Sequence, residues 1–241
     1  MKKILVPVDF SDHSDYALEV AANIAKKQNA EIVAVHMMGL SDAVLTRDES
    51  KEAFEAMFYM KLAEKRFAEF LDKDYLKAIK VTDAVHNYKI FSELNDVAQD
   101  FGADFIVMGS HGSSGLKEVF VGSNTEKVVR TSEIPVLVIK HRHENFNPEL
   151  GVFACDFLEN SIGPYKRAQK MFHALGIEMQ MLYVNLAGDF RSTREIEKRI
   201  LGFLKSAGEA NPLETLNKVV QYNEYSVEAG IFGYSQVSNA D

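Results

Sequence analysis

The apolar run Phe105-Ile106-Val107-Met108, closed by Gly109 and followed by Gly112 and Gly115, constrains the fold more than any other stretch of the chain. It has the length and composition of a strand buried on both faces, and such strands belong to parallel sheets covered by helices. The glycines permit positive φ and let another group approach where a Cβ would stand. Next, Gly122-Ser123-Asn124-Thr125-Glu126 opens a helix. Ser123 and Glu126 stand at capping-box spacing, so Ser123 is the expected N-cap. Free N–H groups and the positive end of the helix dipole make such a start suited to phosphate. The helix is expected to end near Thr131, and Ile134-Pro135 leads into a last apolar strand over 136–139.

Upstream, the hydrophobic pattern predicts strands at 4–8, 30–38 and 78–87. Helices are expected from a turn at 9–14 with Ser11 as N-cap, over 41–73, and over 92–101. With the focal stretch this gives β-α-β-α-β-α-β-α-β, the pattern of an α/β, doubly wound, five-stranded parallel sheet. Ligands of such sheets sit beyond the carboxyl ends of the strands, where the strand order reverses.

The pattern then begins again. Residues 150–188 repeat the opening without a gap, placing Asp156 on Asp9, Phe157 on Phe10, Ser161 on Ser14, Glu178 on Glu31 and Tyr183 on His36. Residues 194–206 correspond to the long helix and 219–225 to the third strand, and Asn239-Ala240-Asp241 falls on Gly102-Ala103-Asp104. The expectation is a first domain over 1–140, a polar linker over 141–148, and a second, incomplete copy over 149–241 that stops before its fourth strand.

Composition narrows the function classes. A net charge of -8 argues against a general nucleic-acid or acidic-membrane surface. The single cysteine, Cys155, excludes an intrachain disulfide and a cysteine zinc cluster, and it takes the place of Val8 as a small hydrophobe. Pro7 and Asp9 break the first apolar run, which reads as a strand and not a signal peptide; a reducing cytoplasm is the default compartment, with no membrane partner.

The phosphate loop is neither of the common ones. Gly115 is followed by Leu116 where a Walker A loop needs Gly-Lys-Ser/Thr, and no G-x-G-x-x-G run occurs. The spacing Gly109-x2-Gly112-x9-Gly122-Ser123 closely resembles the signature of the ATP-binding branch of the universal stress protein family, in its tandem form. That resemblance covers residues 1–140 strongly and the second copy more weakly. It implies the family's nucleotide-binding α/β fold, ATP as ligand, and Mg2+ arriving through the phosphates. It further implies that Pro7, Val8 and Asp9 meet adenine and ribose and that Met37 offers its backbone to adenine. Met108 and Gly109 would lie under the ribose and phosphates and Gly112 would approach the phosphates, while Gly122, Ser123 and Asn124 bind phosphate through N–H groups and the Ser hydroxyl; His111, in the same turn, is a further candidate nucleotide contact. The family's last strand is a pairing edge, so a homodimer through residues 136–139 is expected.

Two other readings stand beside a nucleotide-binding stress regulator. A slow ATPase or ATP-dependent enzyme would have to use His111 or Lys117, although a lone His in a turn is ordinarily solvated and one Lys ordinarily lies on the surface. A nucleotide-independent interaction module would use only the last strand. His141, His143 and Glu144 share the linker, a poor place for a metal site.

Overall fold

Runs of aliphatic and β-branched residues build one five-stranded parallel sheet in the order β3-β2-β1-β4-β5. A computed structural model describes residues 1–38, 49–87, 93–111 and 122–240. The strands are β1 (Lys3–Pro7), β2 (Glu31–Met38), β3 (Val81–Asn87), β4 (Phe105–Gly109) and β5 (Val136–Ile139). Between them lie helices α1 (Asp12–Gln28), α2 (Glu49–Phe70), α3 (Leu94–Phe101) and α4 (Ser123–Thr131). The chain moves outward from β1 through β2 to β3, then returns to place β4 on the other side of β1. The point of reversal is therefore the gap between the carboxyl ends of β1 and β4, where sheets of this kind bind ligands.

Helix α1 covers this junction. Ser11 caps it by accepting from the N–H of Ser14, as expected. Its stripe of Ala17, Leu18, Ala21, Ile24 and Ala25 is buried, and Ile4, Leu5 and Val6 of β1 are wholly inaccessible. On one side of the sheet Leu5, Val33, Val35, Ile106 and Met108 pack with Leu94, Val97 and Ala98 of α3 and Val128 of α4.

The expected third strand begins later than residue 78. A 3-10 turn at Asp74–Leu76 and a left-handed Ala78 (φ 69°) intervene, so β3 starts at Val81. The first part of the expected second helix, the start of the third, and Gly112, Gly115 and Lys117 lie outside the described residues.

The chain divides into units at Met1–Phe146 and Asn147–Asp241. The segment after β5 runs along α1. Arg142 pairs with the buried carboxylate of Glu19 at 3.0 Å, and the side chain of Asn23 donates to the carbonyl of Glu144 at 3.4 Å.

The second unit holds β6 (Leu150–Ala154), α5 (Ile162–Leu175), β7 (Glu178–Leu186), α6 (Thr193–Ala207), α7 (Pro212–Asn217), β8 (Val220–Glu224) and α8 (Val227–Ser238). Its parallel strands run β6-β7-β8, the order of the first three strands of the first unit. The backbone repeats with them. Left-handed residues occur in pairs at aligned positions: Phe10 with Phe157, Asn29 with Gly176, and Gly102 with Asn239. Such a conformation is costly for a non-glycine residue, so its recurrence marks the same turns in both units. The second unit is thus an incomplete second copy, with its own core of Phe157, Tyr165, Met181, Ile196, Ile200 and Leu204.

Candidate functional site

The turn after β1 is built from within. The Asp9 carboxylate accepts from the N–H of Ser11 at 3.1 Å and from its hydroxyl at 2.6 Å, and Ser11 in turn caps α1. Asp9 therefore supports the cap and does not cap α1 itself. Phe10 follows in the left-handed region and drops its ring into an aromatic cluster, 4.7 Å from His36, 5.1 Å from Phe67 and 5.6 Å from Phe70. The guanidinium of Arg66 stacks over that ring at 4.2 Å. Packing of this half-buried ring, aided by the cation, offsets the strained backbone and fixes where Asp9 projects.

Strand β2 overshoots β1. The register ends at Pro7 opposite Val35, and the Val8 N–H makes a final bond to the Val35 carbonyl at 2.8 Å. Backbone groups alternate sides along a strand, so Met37, two residues on, presents its N–H and C=O to the same side beyond the end of β1. Its side chain, like that of Met108, is buried in the common core, leaving only backbone to act.

His36 closes this corner, its Nδ1 lying 2.7 Å from the Val8 carbonyl. Burial holds the imidazole below its usual pKa, with the Val8 carbonyl opposing that effect. The folded state thus binds this proton less readily than the unfolded chain. The His36 contribution to stability should be complete above about pH 6.5 and should decline as the pH falls below it. Urea unfolding of wild type and His36→Gln between pH 7.5 and 5 checks this: the stability of the wild type is expected to fall more steeply with acidification. Parallel slopes would remove His36 as the cause.

The glycines divide by role. A Cβ on Gly109 would stand 2.8 Å from both Cβ and the carbonyl oxygen of His13, so this glycine admits the first turn of α1. Gly122 is the N-cap of α4, correcting the expectation that Ser123 would cap it. The capping box does not form because Ser123 is already the first helical residue: the Glu126 N–H bonds to the Gly122 carbonyl at 2.9 Å and the Glu126 carboxylate pairs with Arg130 at 2.9 Å, while the Gly122 N–H is tied to the Ser110 carbonyl at 2.8 Å. With its N–H engaged, Gly122 is not a free phosphate donor. The first intrahelical bond runs from the Glu126 N–H to the Gly122 carbonyl, leaving the N–H groups of Ser123, Asn124 and Thr125 with no acceptor among the described residues. Ser123 and Asn124 are exposed, whereas buried Thr125 donates its hydroxyl to the Gly109 carbonyl at 3.0 Å.

Three residues essential to this arrangement were not singled out from sequence: Ser110, Thr125 and His13. Thr125 and Ser110 join the end of β4 to the start of α4. The Ser110 hydroxyl also shares a 2.9 Å hydrogen bond with His111 Nδ1. His111 Nε2 is buried without a partner among the described residues, and the His111 ring centre lies 5.4 Å from that of His13. Their common signal is small or polar residues at the ends of elements, which many surface turns also show.

Among the described residues no group of three or more His, Cys, Asp or Glu is arranged to hold a metal, and no helix is long and apolar enough to cross a membrane. In the second unit, Asp156 repeats the Asp9 turn by accepting from the N–H of Leu158 and the hydroxyl of Ser161. Cys155 is only half-buried, in a cavity of about 520 Å³ shared with Asp156, Tyr183 and Arg199; burial pushes its thiol pKa up.

Residues 1–140 match the sequence profile of the Universal stress protein family. A universal stress protein of Methanocaldococcus jannaschii is 33% identical over 156 residues, spanning 59% of this chain and 96% of that protein. The universal stress protein YxiE of Bacillus subtilis is 32% identical over 155 residues, 57% of this chain and 98% of its own. A solved universal stress protein from Archaeoglobus fulgidus DSM 4304 covers 99% of this chain with 84% of its own length at a TM-score of 0.58; at 19% identity this shows likeness of fold alone. The family profile spans the residues that build the five-stranded sheet, and the chain belongs to the universal stress protein family.

Proposed function

We propose that the first unit binds ATP, or a related adenine nucleotide, beyond the carboxyl ends of β1 and β4, and that the protein acts as a stress-response regulator whose state follows nucleotide occupancy. The observation that carries this reading is the start of α4. Three successive N–H groups, of Ser123, Asn124 and Thr125, lack acceptors among the described residues and stand at the positive end of a helix dipole. Phosphate oxygens would accept from them, with the Ser123 hydroxyl and the Asn124 side chain adjoining. Met37, with its backbone beyond the end of β1, would meet the adenine ring, and Val8 and the anchored Asp9 the adenine and ribose. Mg2+ would arrive on the phosphates.

Calorimetric titration with ATP and Mg2+ tests the reading. Ser123→Glu places a carboxylate among the phosphates while leaving the helix start in a charge arrangement it favours. The variant should bind at least about tenfold more weakly, or about 1.4 kcal/mol, with an unchanged or slightly higher Tm. Undiminished affinity in the variant, or no binding in the parent, would end the proposal.

We also infer a homodimer through β5, the last strand in the sheet order, whose outer edge carries Val136, Leu137, Val138 and Ile139. An unpaired edge of aliphatic residues is a template for another strand. Light scattering at micromolar concentration should give a dimer mass, which Val138→Pro should reduce to that of a monomer. A monomer mass for the parent would exclude this pairing.

A further inference from the structure

We propose that His13 and His111 form a two-imidazole clip for a borderline divalent transition metal ion of the Zn2+, Co2+ or Ni2+ class. The two rings come from separate parts of the fold, the first turn of α1 and the bend two residues beyond the end of β4, and their centres lie 5.4 Å apart with the planes inclined by 52°. With metal–nitrogen bonds of about 2.0–2.1 Å, two rings on one tetrahedral ion have centres roughly 5 Å apart. The present separation therefore needs only a small adjustment. The absence of a Cβ at Gly109 is what lets α1 bring His13 this close.

The second observation is the orphaned nitrogen. His111 Nε2 is buried and unpartnered among the described residues. A buried polar atom without a partner is disfavoured, and a metal ion would engage its lone pair. On the other side of the His111 ring, Nδ1 is held by the hydroxyl of Ser110, which is 1% exposed. With Nδ1–H donating to that oxygen, the Nε2 lone pair is the one left to bind. This is how metal-ligating histidines are ordinarily oriented. Imidazole nitrogens suit Zn2+, Co2+ or Ni2+, whereas Mg2+ takes oxygen ligands, so the clip is distinct from any Mg2+ carried on phosphate. Two protein ligands leave coordination positions open. Assigning them to phosphate oxygens rests on the nucleotide reading above, but the clip itself does not.

The test uses the full chain without nucleotide. Co2+ is titrated by visible absorption and Zn2+ by calorimetry, in the parent, His13→Gln, His111→Gln, and a His141→Ala/His143→Ala control for the histidines after β5. The expected result is stoichiometric binding of both ions, weakened about tenfold or more in either glutamine variant and unchanged in the control, with far-UV circular dichroism the same throughout. Absence of binding at micromolar ion, binding indifferent to His13→Gln and His111→Gln, or loss confined to the control would each overturn the clip. ATP with Mg2+ is titrated separately. Zn2+ binding without ATP binding defeats the nucleotide reading and leaves the clip standing, while ATP binding without a His-dependent Zn2+ site does the reverse.

Discussion

Gly109→Ala is expected to destabilise the first unit by about 3 kcal/mol, the upper end of the usual cost of overpacking. The change adds a single carbon, but that carbon would lie 2.8 Å from the His13 carbonyl oxygen and 2.9 Å from its carbonyl carbon. These are backbone atoms and cannot swing aside. Nor can α1 move as a body, because Ser11 fixes its start and Ala17, Leu18 and Ala21 are buried along its length. Hydrogen exchange read on peptides from β1 and β4, with β6 as internal reference, checks the expectation. A loss below about 1 kcal/mol would show that the helix yields and that the close approach is not a constraint.

Phe67→Ala should cost about 3–5 kcal/mol, the range for deleting a buried phenyl ring. Phe67 is 1% exposed, and it meets Phe10 edge-on at 5.1 Å and His36 at 6.5 Å. The cavity would open directly beneath the left-handed Phe10. Without that contact the turn loses the packing that offsets its strain, and Asp9 loses its fixed position. Nucleotide affinity should therefore fall together with stability. Phe67→Leu, which refills most of the space, should restore most of both. Urea unfolding with circular dichroism and the ATP titration give the two readings, and normal affinity in a destabilised Phe67→Ala would separate the cluster from the site.

The sheet was legible in the sequence because its strands are short apolar runs ending at turn-forming residues, and β4 with its glycines shows this most plainly. The internal repeat was legible too, down to Asn239 on Gly102, which share the left-handed cap. What escaped was set by partners distant in sequence. The spacing of Ser123 and Glu126 satisfies a capping box, but it does not say that the helix will start one residue earlier on Gly122, whose N–H the carbonyl of Ser110, twelve residues back (122 − 110), holds in place. A real box does form in the second unit, where Ser192 and Glu195 cap α6 reciprocally. The two pairs differ in their surroundings and not in their spacing. Gly109 shows the same limit. A glycine in a phosphate-loop pattern suggests room for a ligand, but here the room is taken by His13, almost a hundred residues earlier in the chain (109 − 13). Helix α7 was overlooked although Pro212 sits at its first position, a recognised start signal, because six residues are too few to show a hydrophobic period.

The central claim is that the N–H groups at the start of α4, which have no acceptor among the described residues, receive phosphate. Hydrogen exchange with and without saturating ATP and Mg2+ tests it most directly, because amides lacking acceptors exchange fast and gain protection once bonded. The account predicts new protection in peptides covering Ser123 to Thr125 and the turn at Val8 and Asp9, with the β6 turn at Cys155 and Asp156 unchanged. Unaltered exchange at α4, or protection confined to the second unit, would contradict it.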